Sequence, residues 1–334
     1  MRARALATLA IVAVLSGCDG SNGEPAAGFP APEPGVFRMG TQPWLGYGPW
    51  ILAKEQGLFR RHGMKVVIRT FLTDKRIDTA LANGRLHAAN VATHTALALL
   101  GKGVPIKAVL LLDDSREADA ILGGPGVGSV RALRGKRVAF ETASTSEILL
   151  RHALDAAGMS LREIRPVRMA AARAGQALAA GHVDAAVTYE PYIAAALQRN
   201  PRLRLVYSAG ADPGLISDVL VVRNSVIRKR PGQVAALIRA WDDAVRLYKA
   251  DTARMQATIT RALGARPGTL ETAFLGVNLY TVDDNLGALS PQGAFLMNTL
   301  SDVKAAGVEA GLVSTRMRTA ALFTTRFLRA SGPG

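Results

Sequence analysis

The sequence predicts an α/β fold with two lobes and mainly parallel sheets, and three observations carry that reading. Short apolar runs alternate with helical stretches from residue 36 to 207, the element order of βαβ units. Residues 105–112 (PIKAVLLL) form a near-continuous apolar run, as a strand buried on both faces requires. One pattern also occurs twice. Leu81-Ala82-Asn83-Gly84-Arg85-Leu86-His87-Ala88-Ala89 matches Leu178-Ala179-Ala180-Gly181-His182-Val183-Asp184-Ala185-Ala186. In each copy a helix ends at Gly, the residue that tolerates a left-handed C-cap, and a strand with paired alanines follows. Gly63-Met64 and Gly158-Met159 recur at nearly the same offset upstream. Chance matching in an Ala-rich chain is the competing explanation; related topology in two lobes is the other.

The elements follow in order. Strands are expected over 36–40, 65–71, 87–91 and 105–112, with helices over 48–62, 74–82 and 95–102 between them. The second set has strands over 136–141, 164–169, 183–189 and 203–207, separated by helices over 146–157, 172–180 and 191–198. After the apolar run at 218–222 the chain turns mostly helical. Val234, Leu237, Ile238, Trp241, Val245 and Tyr248 make a helical stripe over 231–248. Further helices are expected over 255–263, 267–277 and 291–305.

The N-terminus reads as an address. Arg2 and Arg4 precede an apolar run over 5–15 broken only by Thr8. That is too short for a membrane span of about 20 residues but suits a secretory signal over 1–17. Leu15-Ser16-Gly17-Cys18 resembles the bacterial lipobox, which makes Cys18 the lipidated N-terminus of the mature chain. Asp19 resembles an inner-membrane retention signal. Residues 18–35, with Pro25, Pro30, Pro32 and Pro34, read as a solvated tether. The expected location is the periplasmic side of a membrane.

Composition excludes several classes. One Cys leaves no internal disulfide or Cys-rich metal site, and the five His residues lack ligand spacing. Gly123-Gly124-Pro125-Gly126-Val127-Gly128 has no Lys-Ser/Thr partner, so it is no phosphate-binding loop. No G-x-S-x-G or H-E-x-x-H pattern occurs. Neither a metal, a cofactor nor an enzymatic activity is expected. The formal charge is +15, from 41 Lys and Arg against 26 Asp and Glu, and losing Arg2 and Arg4 leaves +13. These charges are dispersed, as on a solvated face rather than a nucleic-acid track.

A longer stretch identifies a family. Trp44-Leu45-Gly46-Tyr47-Gly48-Pro49-Trp50-Ile51-Leu52-Ala53-Lys54-Glu55-Gln56-Gly57-Leu58-Phe59 resembles the opening of substrate-binding proteins of the nitrate/sulfonate/taurine class of ABC importers, in the NMT1-like superfamily. Leu133-Arg134-Gly135-Lys136-Arg137-Val138-Ala139, Thr188-Tyr189-Glu190-Pro191-Tyr192, Ser217-Asp218-Val219-Leu220-Val221-Val222 and the acidic segment from Asp113 to Ile121 are similar too. The resemblance implies the type 2 periplasmic-binding-protein fold. Lobe 1 would comprise 36–118 and 219–334, and lobe 2 would comprise 119–218. Strands crossing at 119–122 and 215–220 would link them. It also implies a monomeric receptor that closes by hinge motion on a small organic or oxyanionic solute, sulfonate-, taurine- or nitrate-like or else zwitterionic or amine-containing, and delivers it to an ABC permease with its ATPase. A ligand-sensing module for a membrane receptor, or a thiamin-pyrimidine-type enzyme, are the other classes on this framework. The Cys-rich motif of that enzyme is absent.

In open α/β sheets ligands bind beyond the carboxyl ends of strands, near helix N-termini. That rule selects Trp44, Gly46 and Tyr47 after the first strand, and Thr93 and His94 after the third. It selects Ser144, Thr145 and Ser146 in the TASTS turn, Tyr189 and Glu190 before a helix, and Asp114. The aromatics either stack on a solute or pack into the lobe. Ser146 either donates to an oxyanion or caps its helix. Asp119 and Asp218 lie at the crossings and are expected to brace the hinge by accepting backbone hydrogen bonds. The acidic set of Asp113, Asp114, Asp119, Glu141, Glu190 and Asp218 favours a cationic or zwitterionic solute over bare nitrate. The solute's charge stays open at this level.

Overall fold

Two sheets built on one plan organise residues 29–329, the part of the chain that the computed structural model describes. Cys18, the leader and most of the tether lie outside the described residues. The first set of elements is β1 (Val36–Thr41), α1 (Gly48–Glu55), α2 (Leu58–Arg61), β2 (Lys65–Thr70), α3 (Asp74–Ala82), β3 (Ala88–Ala92), α4 (Thr93–Gly101) and β4 (Ile106–Ser115). The second is β5 (Asp119–Gly123), β6 (Arg137–Phe140), α5 (Thr145–Ala156), β7 (Arg165–Arg168), α6 (Ala171–Ala179), β8 (Ala185–Tyr189), α7 (Tyr192–Arg199) and β9 (Arg204–Ser208). Then follow β10 (Ser217–Arg223), α8 (Asn224–Lys229), α9 (Pro231–Ala250), α10 (Thr252–Ala262), α11 (Glu271–Leu275), β11 (Val277–Leu279), α12 (Val282–Ala288) and α13 (Leu300–Glu309).

The strand order is β11-β4-β10-β3-β1-β2 in one sheet and β7-β6-β8-β5-β9 in the other. Three parallel strands form the heart of each: β3-β1-β2 and β8-β6-β7. The expected mainly parallel sheets are in fact mixed. Beside each parallel set lies one antiparallel strand, β10 against β3 and β5 against β8, which the chain delivers from the other lobe. The crossings therefore fall at 116–118 and 209–216, because β5 is already paired in the second sheet from Asp119 and β10 in the first from Ser217.

The duplicated sequence pattern is a structural repeat. Met39 and Gly40 pair with Ala88 and Ala89, while Val138 and Ala139 pair with Ala185 and Ala186. Gly84 and Gly181, at φ 72° and 76°, end the helices that lead into these strands. Left-handed backbone there costs an L side chain energy that Gly avoids. By the same registers, β10 in one half corresponds to β5 in the other.

Other differences from expectation have local causes. The helix expected over 48–62 is split at Gly57, whose φ is 68°. The helix expected over 267–277 contracts to α11, because 277–279 pairs with the end of β4. β4 itself runs to Ser115, so Asp113 and Asp114 lie within a strand.

The first lobe has one core. Trp50 lies between Phe59 and Trp241, with ring centroids 6.2 and 4.8 Å away. Its indole N–H donates to Asn90 Oδ1 at 3.1 Å, and Asn90 Nδ2 donates to Thr41 Oγ1 at 3.0 Å. The second lobe has two smaller cores, around Phe140 and Leu149 and around Leu178 and Leu203. α13 packs on both α4 and α5, so the C-terminal helices touch both lobes.

One buried amide pins α12 to β4. Asn285 Oδ1 accepts from Leu111 N at 2.7 Å, and Asn285 Nδ2 donates to Leu111 O at 2.8 Å and Thr281 O at 2.9 Å. Asn285→Ala would leave the Leu111 backbone groups buried without partners, at about 1–3 kcal/mol each. We expect Asn285→Ala to cost about 3 kcal/mol in urea unfolding; a midpoint within error of the parent's would contradict this.

Candidate functional site

A narrow cleft, part open to solvent, lies between the two sheets at the carboxyl ends of the parallel strands. One wall is Gln42, Trp44 and Tyr47 after β1, Asp74 at the start of α3, Ala92 at the end of β3, and Asp218 in β10. The other is Asp119 in β5, Glu141 after β6, the Ser144–Thr145–Ser146 turn, and Tyr189 at the end of β8. Ile216, from the returning crossing, completes it.

Aromatic packing links the walls. The Trp44 and Tyr189 rings meet edge to face at 5.9 Å and 83°. Trp44 Nε1–H donates to Asp113 Oδ1 at 2.9 Å in a buried contact. Gly46 fits beneath this pair, where a Cβ would collide with Trp44 Nε1 and the Asp113 carboxylate. Gly46 thus serves the site by its lack of a side chain and does not line the cavity.

The serine turn is set by its own hydrogen bonds. Ser144 Oγ accepts from Ser146 N at 3.1 Å and donates to Glu141 O at 2.9 Å, capping α5. Ala143 sits at φ 56°, a strained conformation for a residue with a Cβ, and its N–H donates to Glu147 Oε2 at 2.9 Å. This arrangement places Thr145 and Ser146 on the cavity wall.

Glu141 reaches between lobes. Its Oε2 accepts from Ala171 N at 3.0 Å, at the start of α6, and the Asp74 N–H at the start of α3 also turns to it. Asp74 Oδ1 accepts from Gln42 Nε2 at 2.8 Å. Two helix N-termini from opposite lobes therefore share one carboxyl; burial still raises its affinity for a proton, and the two N–H groups offset part of that.

Several expected site residues have other partners. The Thr93 hydroxyl meets Ser217 O at 3.0 Å and Ser217 Oγ at 2.9 Å, tying α4 to β10. His94 Nε2 meets the Thr95 hydroxyl at 3.2 Å in the core. Asp114 accepts from Asn278 Nδ2 and the Tyr280 hydroxyl, both at 2.8 Å, on the far side of β4. Glu190 Oε2 accepts from Ala194 N at 3.1 Å. None of these four lines the cavity. Conversely, Gln42, Asp74, Ala92 and Ile216 line it without having been selected, and Glu141, expected only as one of the acidic set, lines it too. Asp74 carried a usable signal, since it opens a helix just after a parallel strand. The hinge-bracing role expected of Asp119 and Asp218 is corrected by their surroundings: no backbone N–H binds either carboxylate, and both line the cavity because the crossing strands run along its floor.

Burial dominates the electrostatics. Asp119 and Asp74 are pushed up to about 7 by burial, with Asp74 adding to the first and Glu141 to the second. Asp218 and Asp113 are cross-strand partners in β10 and β4. Burial, and then the repulsion of neighbouring carboxylates, holds both well above the usual range. Outside the cavity, burial also raises Asp78 and Glu190 to about 7 and lowers His87 and His94 to about 4.

Two predictions follow from this geometry. Gly46→Ala should break the Trp44–Asp113 hydrogen bond and weaken solute binding by about tenfold or more, read by titration calorimetry; unchanged affinity would contradict the packing argument. The second concerns pH. Carboxyls raised to about 7 bind protons more tightly in the folded than in the unfolded chain. Stability therefore rises as pH falls through about 7, until the buried histidines, which prefer to stay neutral, oppose it below about 6.5. The melting temperature of the ligand-free protein should climb between about pH 8 and about pH 6.5; a flat or falling profile would contradict the assignment.

Comparison with known proteins agrees with this architecture. A family model described as the NMT1-like family matches residues 30–262. A candidate aliphatic sulfonates-binding protein of Bacillus subtilis (strain 168) is 27% identical over 254 residues, covering 73% of this chain and 74% of that one. The taurine-binding periplasmic protein of Escherichia coli (strain K12) is 26% identical over 204 residues, covering 61% and 64%. Among solved structures, the alkanesulfonate-binding protein SsuA from Xanthomonas axonopodis pv. citri, bound to MOPS, superposes with a TM-score of 0.73 at 22% identity, over 86% of this chain and 98% of that one. The nitrate-binding protein NrtA from Synechocystis PCC 6803 gives 0.72 at 14% identity, over 90% and 89%. With two thirds of its length matched in sequence and its two-lobed architecture matched in space, the chain belongs to the NMT1-like family.

Proposed function

We propose that this protein is an extracytoplasmic solute receptor that holds a small compound between its lobes and delivers it to an ABC permease driven by an ATPase. The observation that carries the reading is the shared cavity, whose walls come from both lobes and meet at the Trp44–Tyr189 contact. A solute seated there touches both sheets at once, so binding favours the closed state by the contacts that only closure supplies. Trp44, Tyr47, Ser144, Thr145, Ser146 and Tyr189 are the side chains assigned to it. The lobes expected over 36–118 with 219–334 and over 119–218 are taken with one shift, since Ser217 and Asp218 pair in the first sheet: lobe 1 is 36–118 with 217–334, and lobe 2 is 119–216. The taurine- and sulfonate-binding relatives support the receptor class. No catalytic step is proposed.

The same reading places the chain on the periplasmic side of a membrane, as a monomer attached through lipid on Cys18. The end of the segment expected as a solvated tether is instead packed on the first lobe, where Glu33 accepts from Gly232 N at 3.1 Å and Gln233 N at 2.9 Å and Phe29 stacks on Phe327. Asp19 favours the inner membrane. Among the described residues no helix is long and apolar enough to span a bilayer. Cys18→Ser should shift the protein from the membrane to the soluble fraction while preserving solute binding; retention on membranes would contradict lipid attachment. Calorimetric titration of that variant with small sulfonates, amines, pyrimidines and nitrate should find at least one binder, and silence across the panel would overturn the receptor assignment.

A further inference from the structure

The charge of the cavity wall indicates the chemical class of its solute. Four carboxylates line the cavity, those of Asp74, Asp119, Glu141 and Asp218, and no Lys or Arg does. Two of the four are already engaged: Glu141 by backbone N–H groups and Asp74 by Gln42. The other two have neither a backbone donor nor a cation beside them. Asp119, only 4% exposed, has the Ser115 hydroxyl nearby, but Ser115 Oγ completes no hydrogen bond. Asp218, 8% exposed, has the Tyr47 hydroxyl and the Asp113 carboxyl as hydrogen-bonding neighbours, but no backbone donor and no Lys or Arg. Buried carboxylates are ordinarily paired, so both point to a partner that the protein itself does not supply.

Their placement is regular. Asp218 pairs with Ala92 at the end of β3, and Asp119 pairs with Tyr189 at the end of β8. Since Ala88 and Ala185 correspond in the structural repeat, Ala92 corresponds to Tyr189 and Asp218 to Asp119. The two carboxylates thus hold equivalent positions on the two crossing strands, one from each lobe. Each helix N-terminus amounts to about half an elementary charge, and three begin at the cavity wall: α3 at Asp74, α4 beside Ala92, and α5. The Ser146 N–H of α5 is already bound by Ser144. About one and a half positive charges do not offset four carboxylates.

We propose that the solute is a small organic cation, an amine or amidine whose N–H groups bridge Asp119 of one lobe and Asp218 of the other while Trp44, Tyr47 and Tyr189 enclose its apolar part. The proposal rests on the receptor reading and narrows it. A cation supplies the missing counter-charge for both lobes at once, which makes closure and charge neutralisation the same event. A sulfonate or nitrate offers neither N–H groups nor positive charge, and it could be held only with Asp119 and Asp218 kept protonated, which mildly alkaline buffer opposes.

Size-matched probes of opposite charge test this on the full chain carrying Cys18→Ser, in mildly alkaline buffer. Benzamidinium is compared with benzenesulfonate and neutral benzamide, and n-butylammonium with propane-1-sulfonate, by calorimetry and by ligand-induced melting shifts. Each cation is expected to bind at least about tenfold more tightly than its matched anion. Asp119→Asn with Asp218→Asn is expected to remove that preference while leaving the melting temperature unchanged or higher. If the double variant does not fold, each single substitution is read in its place, and the wild-type comparison decides on its own. Binding of a sulfonate or of benzamide as tight as that of its matched cation overturns the charge assignment and leaves the receptor intact. A folded double variant with undiminished preference for the cation also overturns it. If none of the probes binds, the charge assignment falls; if the wider solute panel is silent as well, the receptor reading falls with it.

Discussion

Each sheet is completed by a strand that arrives from the other lobe, and most of the molecule's organisation depends on that exchange. β5 leaves the first lobe through 116–118 and pairs with β8 and β9; β10 returns through 209–216 and pairs with β3 and β4. Because these strands are hydrogen-bonded on both sides, neither lobe has a complete sheet without the other's chain. Hydrogen-bonded ladders also fix register strongly where both faces are buried. The positions at the starts of the crossing strands are therefore held firmly against the ends of β3 and β8. This is where Asp119 and Asp218 stand.

The exchange explains why so much negative charge can be buried in one place. Asp113 and Asp218 face each other across β4 and β10, and like charges directly opposite are destabilising. The Trp44 indole compensates one side through its bond to Asp113 Oδ1, while Asp113 Oδ2 has no partner. Gly46 permits that indole to lie close enough. Stability is therefore spent on a cavity floor that prefers protons or cations, a familiar compromise where binding sites depart from the packing rules of a core.

The βαβ grammar was readable because periodicity depends on local sequence. β2 and α3 begin at the residues their patterns indicate, and the repeat around Gly84 and Gly181 follows from a helix needing a left-handed C-cap before a short strand. Where reading failed, long-range pairing was the cause. The segment at 277–279 looks helical by itself and becomes a strand only because the end of β4 offers a free edge. Thr93, His94, Asp114 and Glu190 share the strand-end address of true cavity residues. Their side chains turn to Ser217, Thr95, Tyr280 and Ala194, and no spacing rule reveals that.

The sequence by itself determined the α/β class, the two related halves, the family and the presence of an acidic set near strand ends, since all of these rest on residue type and short-range order. Only the tertiary structure decided which acids meet. Asp119 and Asp218 are 99 positions apart, the difference between 218 and 119, and become two sides of one cavity through strand exchange between lobes. Glu190 and Asp114, as acidic as either, are turned elsewhere by partners distant in the chain. Charge is written in the sequence, but its effect depends on what surrounds it, and burial is a property of the whole fold.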